Sequence, residues 1–408
     1  WAGGWRVIVF VILIYVLNLI SGFDMMMYKH EMIGLNYKRE KVDYNNTSIL
    51  SHIHKEDVRS DIAGTQNMLR KWYAKVRNDE PGKPYLVFIQ SSGGGLRAGY
   101  WGMQVLQKLE ANTKGSLMNH TVMMSGASGG MIGSAYFRHL YFLQKEGKNI
   151  NPLDPKYRED MGKDVLNAIF TGMATNDMIF PWQSFKQYGQ TYRKDRAYWF
   201  DKQMIENTNG LFDGKIVNYR AAEKNADIPM MILSPTIIND QRALVISASP
   251  ASYLCFPYTG SNKGTLNYLM PDGVEYMRFF KDDGAANIDL PSAARLNATY
   301  PYILPAAYLP TKPEMKIMDA GLKENHGFGM STRFVNVFRR WIEKNTAGVI
   351  FIQIRSDKKL KKMDEKEEKS TFLNEMFLPF GNIYSNFLTQ QDYNNDYFVA
   401  QLANSLSV

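Results

Sequence analysis

A serine set among glycines is the residue whose surroundings most clearly suggest chemistry. Residues 126–130 read GASGG; they follow an apolar run at 120–124 and precede a helix-like pattern. In a strand–turn–helix of this kind the flanking glycines allow a sharp turn, and the serine hydroxyl projects at a helix N-terminus. The pattern predicts that Ser128 is a nucleophile. A glycine-rich turn with an idle serine is the alternative.

A second glycine-rich turn precedes the first. Residues 84–99 read PYLVFIQSSGGGLRAG, in which the apolar run Tyr85–Ile89 predicts a strand and a helical pattern begins near Leu96. Backbone N–H groups at such a turn point toward negative charge. A phosphate-binding P-loop is excluded because no Gly-Lys-Ser/Thr closes the turn. A dinucleotide fingerprint fits only loosely, since the next strand does not end in an acidic residue.

The residue that could activate Ser128 is an aspartate rather than a histidine. A Ser-His-Asp triad would need a histidine late in the chain, where only His326 is found. Asp319 ends a short apolar stretch and is followed by small residues. A partly buried aspartate can act as the base for a serine because burial raises its proton affinity. A helix N-cap or turn aspartate is the alternative for Asp319.

The elements that must position these residues alternate between strands and helices. The chain has 408 residues, of which 45% are hydrophobic and 22% charged, so it is long enough for a large folded domain. The alternation favours an α/β fold with a mainly parallel sheet between helices. It continues in a helix near 334–344 and a strand at 348–354, and residues 377–381 read as a turn. The single cysteine excludes an internal disulfide framework.

The amino terminus carries an uncharged apolar run at residues 7–23. Its length predicts a transmembrane helix, with a signal peptide or a buried helix as alternatives. Basic residues are more numerous after the run than before it, which predicts a cytoplasmic catalytic domain on a bacterial-type inner membrane. The predicted divisions are 1–24 for this helix, 25–82 for a linker and amphipathic helix, and 83–408 for the catalytic domain. An aromatic-rich insertion at 149–218 is a lid, a membrane-facing segment or an ordinary subdomain.

Taken in order, these segments resemble the patatin-like phospholipases. The resemblance rests on SSGGGLRAG, on GASGG and on Asp319-Ala320-Gly321, and it extends roughly from Lys83 to Arg355. Two further stretches, 228–247 and 290–301, are similar to the paired strands and the alanine-rich helix of that family. The third motif departs mildly from the family, because many members have Asp-Gly-Gly or Asp-Gly-Ala.

The resemblance implies a three-layer α/β/α sheet domain and a serine–aspartate dyad. Ser128 would be the nucleophile, Asp319 the base, and the amides of Gly93, Gly94 and Gly95 the oxyanion hole. Arg97 would face a substrate phosphate, and neither a metal nor another cofactor is expected. The implied function is a membrane-anchored lipid acyl hydrolase that cleaves an ester of a phospholipid or lysophospholipid in the bilayer.

Two other functions remain open from the sequence. An acyltransferase or transacylase would use the same dyad and pass the acyl group to an alcohol other than water. A catalytically idle membrane scaffold would keep the fold alone. The net charge of +8 is a mild bias toward anionic partners, and no nucleic-acid partner is predicted.

Overall fold

The computed structural model describes residues 29–79, 81–257, 270–359 and 372–405, together with positions 9, 12, 15 and 16. Its helices are α1 Asn46–Ser51, α2 Lys55–Val76, α3 Gly95–Asn112, α4 Ser116–His120, α5 Ser128–Lys145, α6 Pro155–Gly162, α7 Leu166–Gly172, α8 Arg196–Asn207, α9 Arg220–Lys224, α10 Tyr276–Phe279, α11 Leu290–Leu296, α12 Phe328–Asn345 and α13 Phe372–Ser405. A π-helical turn, Met173–Asp177, continues α7, and short 3-10 turns include Ala320–Leu322.

The strands are short apart from those at the centre of the molecule. They are β1 His30–Glu31, β2 Val42–Asp43, β3 Tyr85–Ser91, β4 Thr121–Gly126, β5 Ser184–Gln187, β6 Gln190–Arg193, β7 Met230–Leu233, β8 Thr236–Ile237, β9 Arg242–Val245, β10 Gly273–Glu275, β11 Ala307–Leu309, β12 Thr311–Lys312, β13 Met315–Met318 and β14 Gly348–Ile354.

Two sheets organise the fold. The first has the order β14-β3-β4-β7 and all its pairings are parallel, with Phe88 of β3 opposite both Phe351 and Met123. The second is mixed, with the order β1-β11-β13-β8-β9-β10. An isolated bridge between Leu233 and Ile246 joins the end of β7 to the segment after β9. The two sheets are therefore in contact beside the strand ends of the parallel sheet.

Helices cover both faces of the parallel sheet because its strands are apolar on both sides. Val87 and Ile89 of β3 pack into one apolar cluster, which includes residues of α3 and α5. Leu86 and Phe88 point the other way, into a cluster with residues of α2 and α12. Strands buried on both faces read as continuous apolar runs, and such a run made β3 visible in the sequence. The edge strand β14 is also an apolar run, although it is only partly buried.

The predictions about the membrane need correction. No helix in the described part of the chain is both long and apolar enough to span a bilayer. The predicted N-terminal transmembrane helix is wrong on this finding, and so is the inner-membrane localisation drawn from it. Each described helix of eighteen residues or more carries charged side chains, which are costly in hydrocarbon. Most of the apolar run at 7–23 lies outside the described residues. The divisions of the chain at 24 and 82 stay predictions.

The helices α3 and α5 cross in backbone contact. A Cβ atom added to Gly129 would lie 1.8 Å from the carbonyl oxygen of Gly95, and one added to Gly133 would lie 2.2 Å from that of Gly99. Real Cβ atoms do not approach other heavy atoms so closely, so a side chain at either position would push the helices apart. Glycine at the crossing therefore fixes the distance between the N-termini of the two helices.

Replacing Gly133 with alanine tests this contact. We expect Gly133→Ala to lower the free energy of unfolding by about 3 kcal/mol or more, at the upper end of overpacking costs, because the opposing atoms belong to backbone. The matched control is Gly64→Ala on the exposed face of α2, where an added Cβ meets nothing within 4 Å. This control should gain roughly 0.5–1 kcal/mol from helix propensity. Urea unfolding measures both, and equal stability of the two variants would contradict the contact.

Candidate active site

Ser128 lies at a strained junction between β4 and α5. Its φ angle is +51°, in the left-handed region that residues other than glycine rarely adopt. The backbone around it is held by two hydrogen bonds, from the Ala127 N–H to the Ser91 carbonyl at 2.9 Å and from the Ser128 N–H to the Asn297 carbonyl at 3.0 Å. Backbone strain held in this way is typical of functional turns, including the nucleophile elbow. Ser128 is buried, with 8% of its surface still exposed to solvent.

Asp319 follows β13 directly and is held by its backbone as well as its side chain. Its N–H donates to the carbonyl of Thr299 at 3.0 Å, and its own carbonyl accepts from the Thr236 hydroxyl at 2.9 Å. One carboxyl oxygen, Oδ1, accepts the N–H of Gly321 at 2.8 Å and so caps the 3-10 turn Ala320–Leu322. Asp319 therefore does act as a cap, which was the alternative to a catalytic role, but capping uses only one of its two carboxyl oxygens.

The second oxygen of Asp319 is the one left for Ser128. Burial raises the pKa of Asp319 to about 6, while the Gly321 N–H and the Ser128 hydroxyl act in the opposite direction. The Ser128 hydroxyl is thus near enough to act on the carboxyl, yet Oδ2 is buried and accepts no hydrogen bond of ordinary geometry from the described residues. The structure therefore brings Ser128 and Asp319 together as an open pair, with a free acceptor on the carboxyl.

Asn297, at the end of α11, ties the serine turn to the aspartate turn. Its backbone carbonyl accepts the N–H of Ser128 at 3.0 Å and the N–H of Ala320 at 3.2 Å. Its side-chain amide donates to the Gly126 carbonyl at 2.9 Å and accepts the Ser234 N–H at 2.9 Å. The residue is fully buried. Asn297 lies in the stretch 290–301, which resembles the alanine-rich helix of the patatin-like phospholipases, but the sequence did not predict a role for it. A single asparagine after a helix does not indicate which distant residues it contacts.

The glycine loop lies directly against the serine. A Cβ atom added to Gly93 would be 3.1 Å from the Cβ of Ser128. The Gly93 N–H already donates to Asn325, 3.2 Å from its carbonyl oxygen and 3.0 Å from its side-chain Oδ1. Gly94, with φ +142°, and Gly95 begin α3, where the first amides of a helix have no intrahelical acceptor. Of the three predicted donors, Gly94 and Gly95 are therefore those at the open helix end.

The loop after Asp319 is held by α13, which the sequence did not predict. The side chain of Gln391 accepts the Asn325 N–H at 2.7 Å and donates to the Gly321 carbonyl at 3.0 Å. His326 also contacts this helix, with its Nδ1 atom 3.4 Å from the side-chain nitrogen of Asn395. Burial lowers the pKa of His326 to about 4, so the ring is neutral near pH 7. His326 thus lies between the loop after Asp319 and α13 and has a structural role there.

Arg97 stands on the surface, two residues into α3 from Gly95. Its guanidinium lies 3.1 Å from the carboxylate of Asp357, and both side chains are largely exposed. Arg97 borders a cleft of about 590 Å³, whose other lining residues are Leu96, Tyr100, Glu159, Met161, Gly162 and Lys163. Among the described residues, no group of three or more His, Cys, Asp or Glu side chains is arranged to hold a metal ion.

Comparison with known proteins gave distant structural similarities only. No family model and no curated protein sequence matches the chain. Human GIVD cytosolic phospholipase A2 in complex with methyl γ-linolenyl fluorophosphonate is 16% identical with a TM-score of 0.33, covering 69% of this chain and 44% of that chain. A second structure of human GIVD cytosolic phospholipase A2 is 13% identical with a TM-score of 0.36, covering 69% and 48%. VipD from Legionella pneumophila is 11% identical with a TM-score of 0.26, covering 60% and 47%.

The chain spans less than half the length of each of these solved chains. TM-scores of 0.26 to 0.36 are too low to support a structural or functional inference. The case for a function therefore rests on the residues of this chain.

The raised pKa of Asp319 has a consequence for stability. Because the pKa in the folded protein, about 6, lies above the ordinary 3.8, the folded state holds a proton that the unfolded state loses between these values. The aspartate therefore destabilises the fold progressively as the pH rises from about 3.8 to about 6, and the loss is complete above that range. We expect Asp319→Asn to gain roughly 1–3 kcal/mol in unfolding free energy relative to the parent between pH 4 and pH 8.

Urea unfolding across this pH range measures the difference between the two proteins. Asp43→Asn, which removes a carboxylate from an exposed position on β2, is the matched control. A difference between Asp319→Asn and the parent that stays constant from pH 4 to pH 8 would contradict the raised pKa.

Proposed function

We propose that this protein is a serine–aspartate acyl hydrolase that cleaves an ester of a phospholipid or lysophospholipid. The observation that supports the proposal most strongly is the pair at the site: Ser128 on a strained turn, beside the buried Asp319 with one carboxyl oxygen free. A carboxyl with a pKa of about 6 is ionised near pH 7 and binds a proton more strongly than an ordinary aspartate. It is therefore suited to take the proton of a serine without a histidine between them.

In the first step Asp319 accepts the hydroxyl proton while the oxygen of Ser128 attacks the carbonyl carbon of the ester. The carbonyl oxygen becomes an oxyanion, which the amides of Gly94 and Gly95 would stabilise at the N-terminus of α3. The Gly93 amide would join them after release from Asn325. Loss of one such donor typically lowers the rate about 100- to 1,000-fold.

Collapse of this intermediate breaks the ester bond. The leaving alcohol, a lysolipid or a glycerol derivative, takes the proton from Asp319, and the acyl group remains on Ser128. Water then attacks the acyl-enzyme while Asp319 again accepts a proton. The bond between the acyl carbon and the Ser128 oxygen then breaks, and Asp319 returns its proton to that oxygen. The products are a free fatty acid and the regenerated serine.

A lipid with a phosphate group is favoured by the motifs. The three motifs in order are similar to those of the patatin-like phospholipases. Arg97 and Lys163 both border the cleft beside the start of α3. Arg97 is paired with Asp357, Lys163 lies 2.7 Å from Asp160, and Glu159 also lines the cleft. An anionic headgroup at this position would therefore compete with these carboxylates for the two cations.

Fatty-acid release tests the proposed reaction. The parent should release fatty acid from mixed anionic phospholipid vesicles, and Ser128→Ala and Asp319→Asn should each lose roughly 1,000-fold or more in kcat/KM. For the parent, kcat/KM should rise with pH to a plateau, with its midpoint near pH 6, because the base must be ionised.

The controls are Ser51→Ala and Asp43→Asn, which make the same chemical changes at exposed positions. They should keep the activity of the parent. Equal release from the parent, Ser128→Ala and Asp319→Asn would mean that another site or another protein is responsible, and the proposal would be wrong.

A further inference from the structure

An exposed apolar surface lies in the segment 166–182, which we name the apolar tip. On α7, Leu166 and Phe170 are four residues apart and share an exposed face. After the π-helical turn, residues 178–182 read MIFPW without a charge. The exposed large apolar side chains of the tip are Leu166, Phe170, Met178, Ile179, Phe180 and Trp182, with Met178 74% and Trp182 71% exposed. Contiguous exposure on this scale marks an interaction surface.

Two polar side chains of the tip, those of Asn176 and Asp177, are paired with neighbouring residues. The buried side chain of Asn176 accepts the indole N–H of Trp199 at 2.8 Å and donates to the side chain of Gln183 at 2.9 Å. The carboxylate of Asp177 lies 3.5 Å from the guanidinium of Arg196 and accepts its backbone N–H at 3.1 Å. These contacts hold the tip in shape and pair its acidic side chain with Arg196. The large apolar side chains are therefore exposed beside the small polar residues Asn167 and Thr171, without an unpaired carboxylate within 166–182.

Positive charge follows the tip directly. Residues 178–194 contain Lys186, Arg193 and Lys194 but no aspartate or glutamate. Lys186 is exposed on β5, and Lys194 is joined to the tip because its N–H donates to the carbonyl of Gln183 at 2.8 Å. An apolar surface that carries Trp and Phe beside lysines matches the boundary of an anionic bilayer, where acyl chains meet phosphates.

We propose that the apolar tip docks on an anionic phospholipid surface. The side chains of Met178, Ile179 and Trp182 enter the boundary between headgroups and acyl chains, and Lys186 remains at the level of the phosphates. This is a peripheral contact through side chains and needs no membrane-spanning helix. The choice of a lipid rather than a protein as the occupant rests on the proposed function and on the charge pattern.

The elements that carry the tip also border the candidate site. Lys163, three residues before α7, lines the cleft beside Arg97. On the other side of the tip, Asp201 of α8 is buried against α11, where it lies 3.0 Å from the guanidinium of Arg295 and accepts the hydroxyl of Ser292 at 2.7 Å. Asn297 follows α11 and holds the serine turn. The chain on one side of the tip therefore leads to the cleft, and the chain on the other side leads to the residue that holds the serine turn.

A fluorescent label at the tip tests the docking without any need for catalysis. Trp182→Cys in a Ser128→Ala background would carry an environment-sensitive fluorophore, and the native Cys255 is fully buried. The matched control is Tyr397→Cys, whose side chain is 62% exposed on α13. The probe is vesicles of equal parts phosphatidylglycerol and phosphatidylcholine. A label reports only its own position, so a change at 182 but not at 397 locates the contact with the vesicle.

We expect the emission at position 182 to rise and shift to shorter wavelength as vesicles are added, while the label at 397 stays unchanged. No change at position 182, or equal changes at both positions, would overturn the proposal. An emission change on addition of a protein partner but not of vesicles would do the same and would identify the tip as a protein-binding surface.

A second variant separates the docking from the chemistry. Replacing Met178, Ile179 and Trp182 with serine should lower hydrolysis of vesicle lipid roughly tenfold or more, because each large apolar side chain contributes to interfacial binding. Hydrolysis of a short-chain ester dissolved in water should stay unchanged. An unchanged ratio of the two rates would contradict docking by the tip. A parent without activity on either ester would instead refute the proposed function, and the label at 182 would still decide the docking.

Discussion

The close approach of α3 to α5 is the constraint on which the candidate site depends. Gly95 and Gly99 meet Gly129 and Gly133 backbone to backbone, so the N-termini of the two helices stand side by side. One of these ends carries the amides of the glycine loop and the other carries Ser128. A side chain at the crossing would separate the amides from the serine. The packing of α3 against α5 therefore also brings the N-termini of the two helices together. Both ends carry the positive pole of a helix dipole, so together they can stabilise an anion.

The site is completed across the junction of the two sheets. The parallel sheet supplies Ser128 after β4, and the mixed sheet supplies Asp319 after β13. The carbonyl of Asn297 accepts an N–H from each of the two turns, so their separation is set by one buried residue. Asp319 makes this assembly less stable near neutral pH because its carboxyl is buried with one oxygen unsatisfied. Such a cost is expected where a residue is kept for reactivity rather than for stability.

The sequence predicted the parts of the fold that depend on local pattern. The apolar runs of β3 and β14, the turn at Ser128 and the position of Asp319 after a strand were all visible. Asn297, Asn325 and Gln391 were missed because their roles depend on contacts between distant segments; Gln391 and Gly321 are 70 residues apart. The predicted turn at 377–381 was wrong, since α13 runs through it. The turn was predicted from the local preferences of a proline and a glycine, whereas the later part of α13 packs on the loop after Asp319 through Gln391.

The pH dependence of covalent labelling measures whether Asp319 activates Ser128. A fluorophosphonate reacts with an activated serine, and mass spectrometry identifies the modified residue and the rate of its modification. We expect an adduct on Ser128, formed at a rate that rises with pH around a midpoint near 6 and that falls sharply in Asp319→Asn. An adduct on a different residue, or a rate on Ser128 that does not depend on Asp319, would contradict the proposed dyad.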